Sequence, residues 1–167
     1  ARIMTTIPGN LQHVRARIAT ACQRAGRGVE EVTLLAVSKT FGADAVRAAA
    51  AAGQRAFGEN YIQEGVEKIA ALRDLGLTWH CIGTIQSNKT RLVAEHFDWV
   101  HTVDRLKIAE RLSAQRPADR PPLNVCIQVN IDGGANKSGV APGDKIKIKK
   151  KETTLQQLNM RGLMSIP

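Results

Sequence analysis

Hydrophobic positions along the chain fall into two alternating rhythms. Ile7, Leu11, Val14, Ile18, Cys22 and Ala25 recur every three or four residues, which predicts a first helix with Asn10 as its N-cap and Gly26 and Gly28 as its stop. Leu34 to Lys39 then reads as a strand, and an Ala-rich helix spans about Asp44 to Ala52, ending at Gly53. A short strand over Arg55–Gly58 follows, and then a helix carrying Ile62, Val66, Ile69 and Leu72 on one face, stopping at Gly76. Further strands are predicted at Trp79–Gly83, Trp99–Val103, Leu123–Asn130 and Gly162–Ile166. Between them lie helices capped by Ser87 and Asp104, the first carrying Leu92 and Val93 and the second Leu106, Ala109 and Leu112.

Strands separated by single helices and never by hairpins require a parallel sheet with right-handed crossovers. An open doubly wound sheet and a (β/α)8 barrel of the TIM type both satisfy that pattern. No GxGxxG follows the first strand, which disfavours the dinucleotide-binding version. Six strands amount to about six of the eight units of a closed barrel. Residues 141–154 break the rhythm, reading Lys-Ile-Lys-Ile and then a lysine run where a crossover helix is due. With no apolar stripe, that segment is expected to be exposed or poorly ordered.

Composition narrows the class. At 167 residues, with 43% hydrophobic and 23% charged positions, the chain suits a single globular domain over residues 1–167. No apolar run is long enough for a membrane helix, and residues 1–10 lack a signal-peptide core. Cys22, Cys81 and Cys126 are isolated and odd in number, which argues against a disulfide framework or zinc ribbon and for a cytoplasmic setting. The net charge of +9 owes five charges to Lys145, Lys147, Lys149, Lys150 and Lys151, and setting those aside leaves +4. That run lacks an aromatic stacking platform, so a nucleic-acid-binding module is the weakest of the functional readings.

In both candidate architectures ligands sit at the carboxyl ends of the strands. Those ends supply Lys39, Glu59 with Asn60, Gly83 to Gln86, Asp104, Asn130 and Ser165. Lys39 shares a strand face with Val37 and Leu35. Enclosed in a barrel, such a lysine is costly unless paired, and desolvation favours the neutral, nucleophilic amine. A lysine that snorkels out at the strand end is the alternative. His80, between Trp79 and Cys81, reads as a core residue or as a site residue; His96 and His101 lack a third partner for a metal. Gln86 to Lys89 and Lys137 to Gly139 are weak anion-binding patterns taken alone.

Several segments together resemble one family in order and spacing. They are Leu35-Ala-Val-Ser-Lys-Thr40, Phe57-Gly-Glu-Asn-Tyr61, Trp79-His80 through Ile82-Gly83, Gln86-Ser-Asn-Lys89, Lys137-Ser-Gly139 and Arg161-Gly-Leu-Met-Ser-Ile-Pro167. The chain is similar to the pyridoxal phosphate homeostasis proteins, the YggS/PROSC family, over about residues 7–140 and 155–167. The resemblance implies a barrel related to the N-terminal domain of alanine racemase, with pyridoxal 5′-phosphate (PLP) held as a Schiff base on Lys39. It implies a PLP carrier that balances vitamin B6 and amino-acid pools, serves PLP-dependent apoenzymes and has no established catalytic activity; a racemase-like PLP enzyme is the alternative. With PLP on Lys39, the stem of that lysine is expected to pack on Val37. Asn60 and His80 are expected around the cofactor, with Met164 and Ser165 approaching from the sixth strand. Family members continue beyond the position of Pro167, and the resemblance places the phosphate-holding residues there. A monomer is expected, and no metal.

Overall fold

The computed structural model describes residues 2–133, 138–143 and 155–166. Six strands form one sheet: β1 (Ala36–Val37), β2 (Ala56–Glu59), β3 (Thr78–Cys81), β4 (Trp99–Val103), β5 (Leu123–Gln128) and β6 (Leu158–Met164). Their order across the sheet is their order in the chain, and every neighbouring pair is parallel. The helices are α1 (Arg2–Ala25), α2 (Ala43–Ala51), α3 (Ile62–Ala71), α4 (Thr90–His96) and α5 (Leu106–Gln115). This is an α/β fold with the layout of a partial (β/α)8 barrel.

Pleating gives the sheet two unlike faces. Phe57, Trp79, Cys81, Val100, Val125 and Ile127 point into one continuous core with Val46, Leu72, Val93, Phe97 and Leu112 from the helices. Apolar burial of this size is the main stabilising term for the domain. The other face carries a register-matched row of Val37, Gly58, His80, Trp99, Asn124 and Asn159, one residue from each strand. Gly58 is small for a reason: an added Cβ would lie 3.0 Å from Ile82 and 3.3 Å from Leu35, which close over it.

Four details differ from the sequence-based expectation. Helix α1 starts at Arg2, well before Asn10, and contains Pro8. A proline there forfeits one helical hydrogen bond, but Ile7 and Leu11, on either side of it, pack against the core and hold the helix. Strand β6 begins at Leu158, because Leu158 and Met160 face the core while Asn159 and Arg161 occupy the other face. Ladder pairing of β1 involves only Ala36 and Val37. Neither Ser87 nor Asp104 caps its helix: the Ser87 carbonyl accepts from Thr90 Oγ1 (3.0 Å) and Arg111 (3.1 Å), and Asp104 accepts from the Gly139 N–H (3.2 Å).

The lysine run at 145–151, Lys137, and the expectation of exposure across 144–154 lie outside the described residues. Among the described residues no helix is long and apolar enough to cross a membrane.

Candidate functional site at the carboxyl end of the sheet

The chain leaves β1 through a tight turn. The Phe41 N–H donates to the Ser38 carbonyl (3.1 Å), so Lys39 and Thr40 form the corner. Thr40 takes a positive φ of 67°, a left-handed conformation that a β-branched residue adopts only against a steric penalty. Lys39 is exposed at this corner, and Val37 below it is 49% exposed. The enclosure expected for a lysine inside a barrel is not found among the described residues.

Behind the turn lies a buried polar cluster. Glu59 is completely buried and Lys68 nearly so. The Lys68 ammonium donates to both Glu59 oxygens (3.1 Å each) and to the Ser38 carbonyl (2.6 Å), and pairs with Glu64 at 2.8 Å. Ser38 Oγ donates to Glu59, and the Thr40 N–H donates to Glu64 (2.7 Å). Burial raises the Glu59 carboxyl above the usual range despite its bonds from Ser38 and Lys68. Glu64 moves the other way, held down chiefly by its hydrogen bond from Lys68.

Asn60 follows β2 and is half-buried. Its side-chain Oδ1 is buried with no hydrogen-bond partner among the described residues. Gly83 at the end of the next strand presses on the Asn60 backbone so closely that a Cβ there would sit 2.1 Å from its carbonyl oxygen. His80 lies lower on the sheet, level with Gly58. Its Nδ1 is 2.8 Å from Nε2 of His101, and its ring stacks on Trp99 with centroids 5.2 Å apart and planes 15° from parallel. Arg161 covers Trp99 at 4.8 Å. Burial, reinforced by the neighbouring His101, lowers the His80 pKa to about 4, so both imidazoles are neutral at pH 7.

The structure thus brings Lys39 and Asn60 together on adjacent strand ends and sets His80 on the third strand, deeper and engaged with His101. Met164 is half-buried at the end of β6 and Ser165 is exposed after it, on the edge strand opposite β1. Sequence reasoning missed the His80–His101 pair, because it is the pairing of His80 with Trp99 across β3 and β4 that puts both rings on one face. It also missed Lys68 and Glu64, whose spacing on a helix was a usable signal. Among the described residues no group of three or more His, Cys, Asp or Glu could hold a metal ion.

The site gathers polar groups toward the carboxyl end of a parallel sheet, where α/β folds bind ligands. It offers an amine, an amide oxygen in need of a donor, and a neutral imidazole pair. Comparison with known proteins gives the class first: residues 9–167 match the alanine racemase N-terminal domain family. Alanine racemase from Corynebacterium glutamicum, at 18% identity, shares the fold over 97% of this chain and 44% of its own, with a TM-score of 0.66.

Closer relatives narrow this. The chain is 61% identical to the pyridoxal phosphate homeostasis protein of Pseudomonas aeruginosa over 98% of its length and 71% of that protein's. It is 55% identical to the corresponding protein of Escherichia coli K12 at the same coverage. The solved structure of PipY from Synechococcus elongatus with PLP bound is 44% identical, covering 81% of this chain and 63% of its own with a TM-score of 0.73. The chain belongs to the pyridoxal phosphate homeostasis protein family.

Proposed function

We propose that this chain binds PLP covalently through Lys39 and serves in PLP and amino-acid homeostasis as a carrier rather than as an enzyme. The observation that carries the reading is the pairing of an exposed strand-end lysine with the unsatisfied amide oxygen of Asn60 beside it. A buried acceptor without a partner among the described residues leaves room for a donor on a ligand. The PLP-bound state of a 44%-identical relative supports the same reading. When bound, PLP supplies an aldehyde carbon that a neutral amine can capture.

In this reading Lys39 provides the amine and the stem of that side chain lies along Val37. Asn60 orients the ring, while the His80–His101 pair forms the neutral floor beneath it. Met164 and Ser165 approach from β6. One continuous core supports a single PLP-binding domain. The three free cysteines suit a reducing cytoplasm. We propose a monomer that presents its cofactor to PLP-dependent apoenzymes.

Near-visible absorption of the purified protein tests the assignment. A band that collapses on borohydride reduction, with the reduced adduct mapped to Lys39, is the expected result. Lys39→Ala should abolish the band and leave the fold intact, since an exposed side chain contributes little packing. Lys39→Arg should fail as well, because a guanidinium stays protonated. An adduct mapped to another lysine would overturn it. Racemisation or α-proton exchange of amino acids by the loaded protein would favour the racemase-like alternative.

A further inference from the structure

We propose that Lys68 and Glu64 are positioning residues for Lys39: from α3 they grip the backbone on both sides of that lysine and fix the direction in which its ε-amine leaves the turn. The inference rests on Lys39 as the cofactor lysine. Lys68 reaches the Ser38 carbonyl at 2.6 Å, immediately before Lys39, while Glu64 takes the Thr40 N–H at 2.7 Å, immediately after it. The two grips are one unit, because Lys68 and Glu64 are themselves paired at 2.8 Å and Lys68 is anchored on buried Glu59.

Two further features mark this as more than ordinary packing. Thr40 is held at a φ of 67°, which its side chain disfavours, so the turn needs an external hold. Gly65 lets α3 lie close enough to supply it: a Cβ there would sit 2.8 Å from the Phe97 ring and 3.2 Å from Glu59 Cβ. A lysine side chain has many rotamers, and immobilising the backbone beneath it lowers the entropy still to be lost when the amine is captured. The clamp's contacts are to the backbone flanking Lys39, and its role is to act through that lysine.

Glu64→Ala is the informative variant, because Glu64 is partly exposed and its loss leaves the buried Lys68–Glu59 pair in place. Expected are a modestly lowered Tm, from the lost charge-assisted bonds, faster hydrogen exchange at the Thr40 amide, and PLP affinity about tenfold weaker, the loss that follows if the competent turn falls to roughly a tenth of the population. Glu64→Gln keeps an acceptor for the Thr40 N–H and should retain near wild-type affinity, which a general loss of structure would not explain. Faster Thr40 exchange with unchanged PLP affinity would overturn the proposal. A second readout needs no cofactor: trace acetylation of Lys39 relative to exposed Lys107 should change in Glu64→Ala. If the wild-type chain captures no PLP on Lys39, the proposed function falls, and the acetylation ratio decides the clamp. A changed ratio upholds it and an unchanged one overturns it.

Discussion

Acidification should destabilise this protein through His80 as the pH falls below the ordinary imidazole range. The ring is neutral in the folded state, with a pKa of about 4, and free to take a proton near 6.5 when the chain unfolds. Between those values the unfolded state binds more protons, so stability falls as pH is lowered from about 6.5 and levels off below about 4. The gap sets a ceiling of roughly 3 kcal/mol. Residual access of water to the open sheet face reduces the expected loss to about 2 kcal/mol. His101 is lowered in the same direction by burial.

His80→Phe isolates the effect. It keeps an aromatic ring over Trp99 and deprives His101 of its 2.8 Å partner. That lost hydrogen bond costs about 1 kcal/mol at all pH values, whereas the titration of His80 disappears and that of His101, lowered by burial, remains. Urea unfolding from about pH 7.5 down to about pH 4.5 is the assay. Contributions from Glu59, Glu64 and Asp74 are common to both proteins and cancel in the difference. The wild-type curve should drop about 2 kcal/mol more steeply than that of the variant over this range. Parallel curves would refute the argument, since the two proteins differ in titratable groups only at position 80.

Two other substitutions probe the site's frame. Lys68→Met strands Glu59 as a fully buried carboxylate and should cost about 3–5 kcal/mol; adding Glu59→Leu should restore most of it, as thermal melts would show. Gly83→Ala drives a methyl to 2.1 Å from the Asn60 carbonyl. The forced shift should cost at least about 1–3 kcal/mol in denaturant titrations and weaken PLP uptake through Asn60.

Much of this architecture is legible in the chain because burial leaves a period. Trp99–Val103 is readable to the residue, since its β-branched and aromatic run is closed by polar Asp98 and Asp104 on either side. The start of β6 is not, because Asn159 and Arg161 sit on the uncovered face and resemble loop residues. Pro8 and Gly9 hid the first turns of α1, where tertiary packing of Ile7 and Leu11 overrides local propensity. For the site, Lys39 and Asn60 announce themselves as polar residues ending apolar strands. The Glu59–Lys68 cluster does not, since it joins residues on separate elements and depends on a close helix approach that only coordinates reveal.

The unbroken strand order from β1 to β6 bears on how the molecule is made. Each strand hydrogen-bonds to the one synthesised just before it, so every pairing closes only the stretch of chain between consecutive strands, and none waits for a distant segment. Loop-closure entropy is thus spent in small instalments. The sheet can grow at its newest edge while the ribosome is still at work, and the lysine-bearing turn, gripped from α3, is complete once the third helix has emerged. Nascent chains arrested with β4 outside the exit tunnel should already protect the Ser38–Phe41 turn from proteolysis; cleavage there as rapid as in an unfolded chain would show that the sheet instead forms all at once.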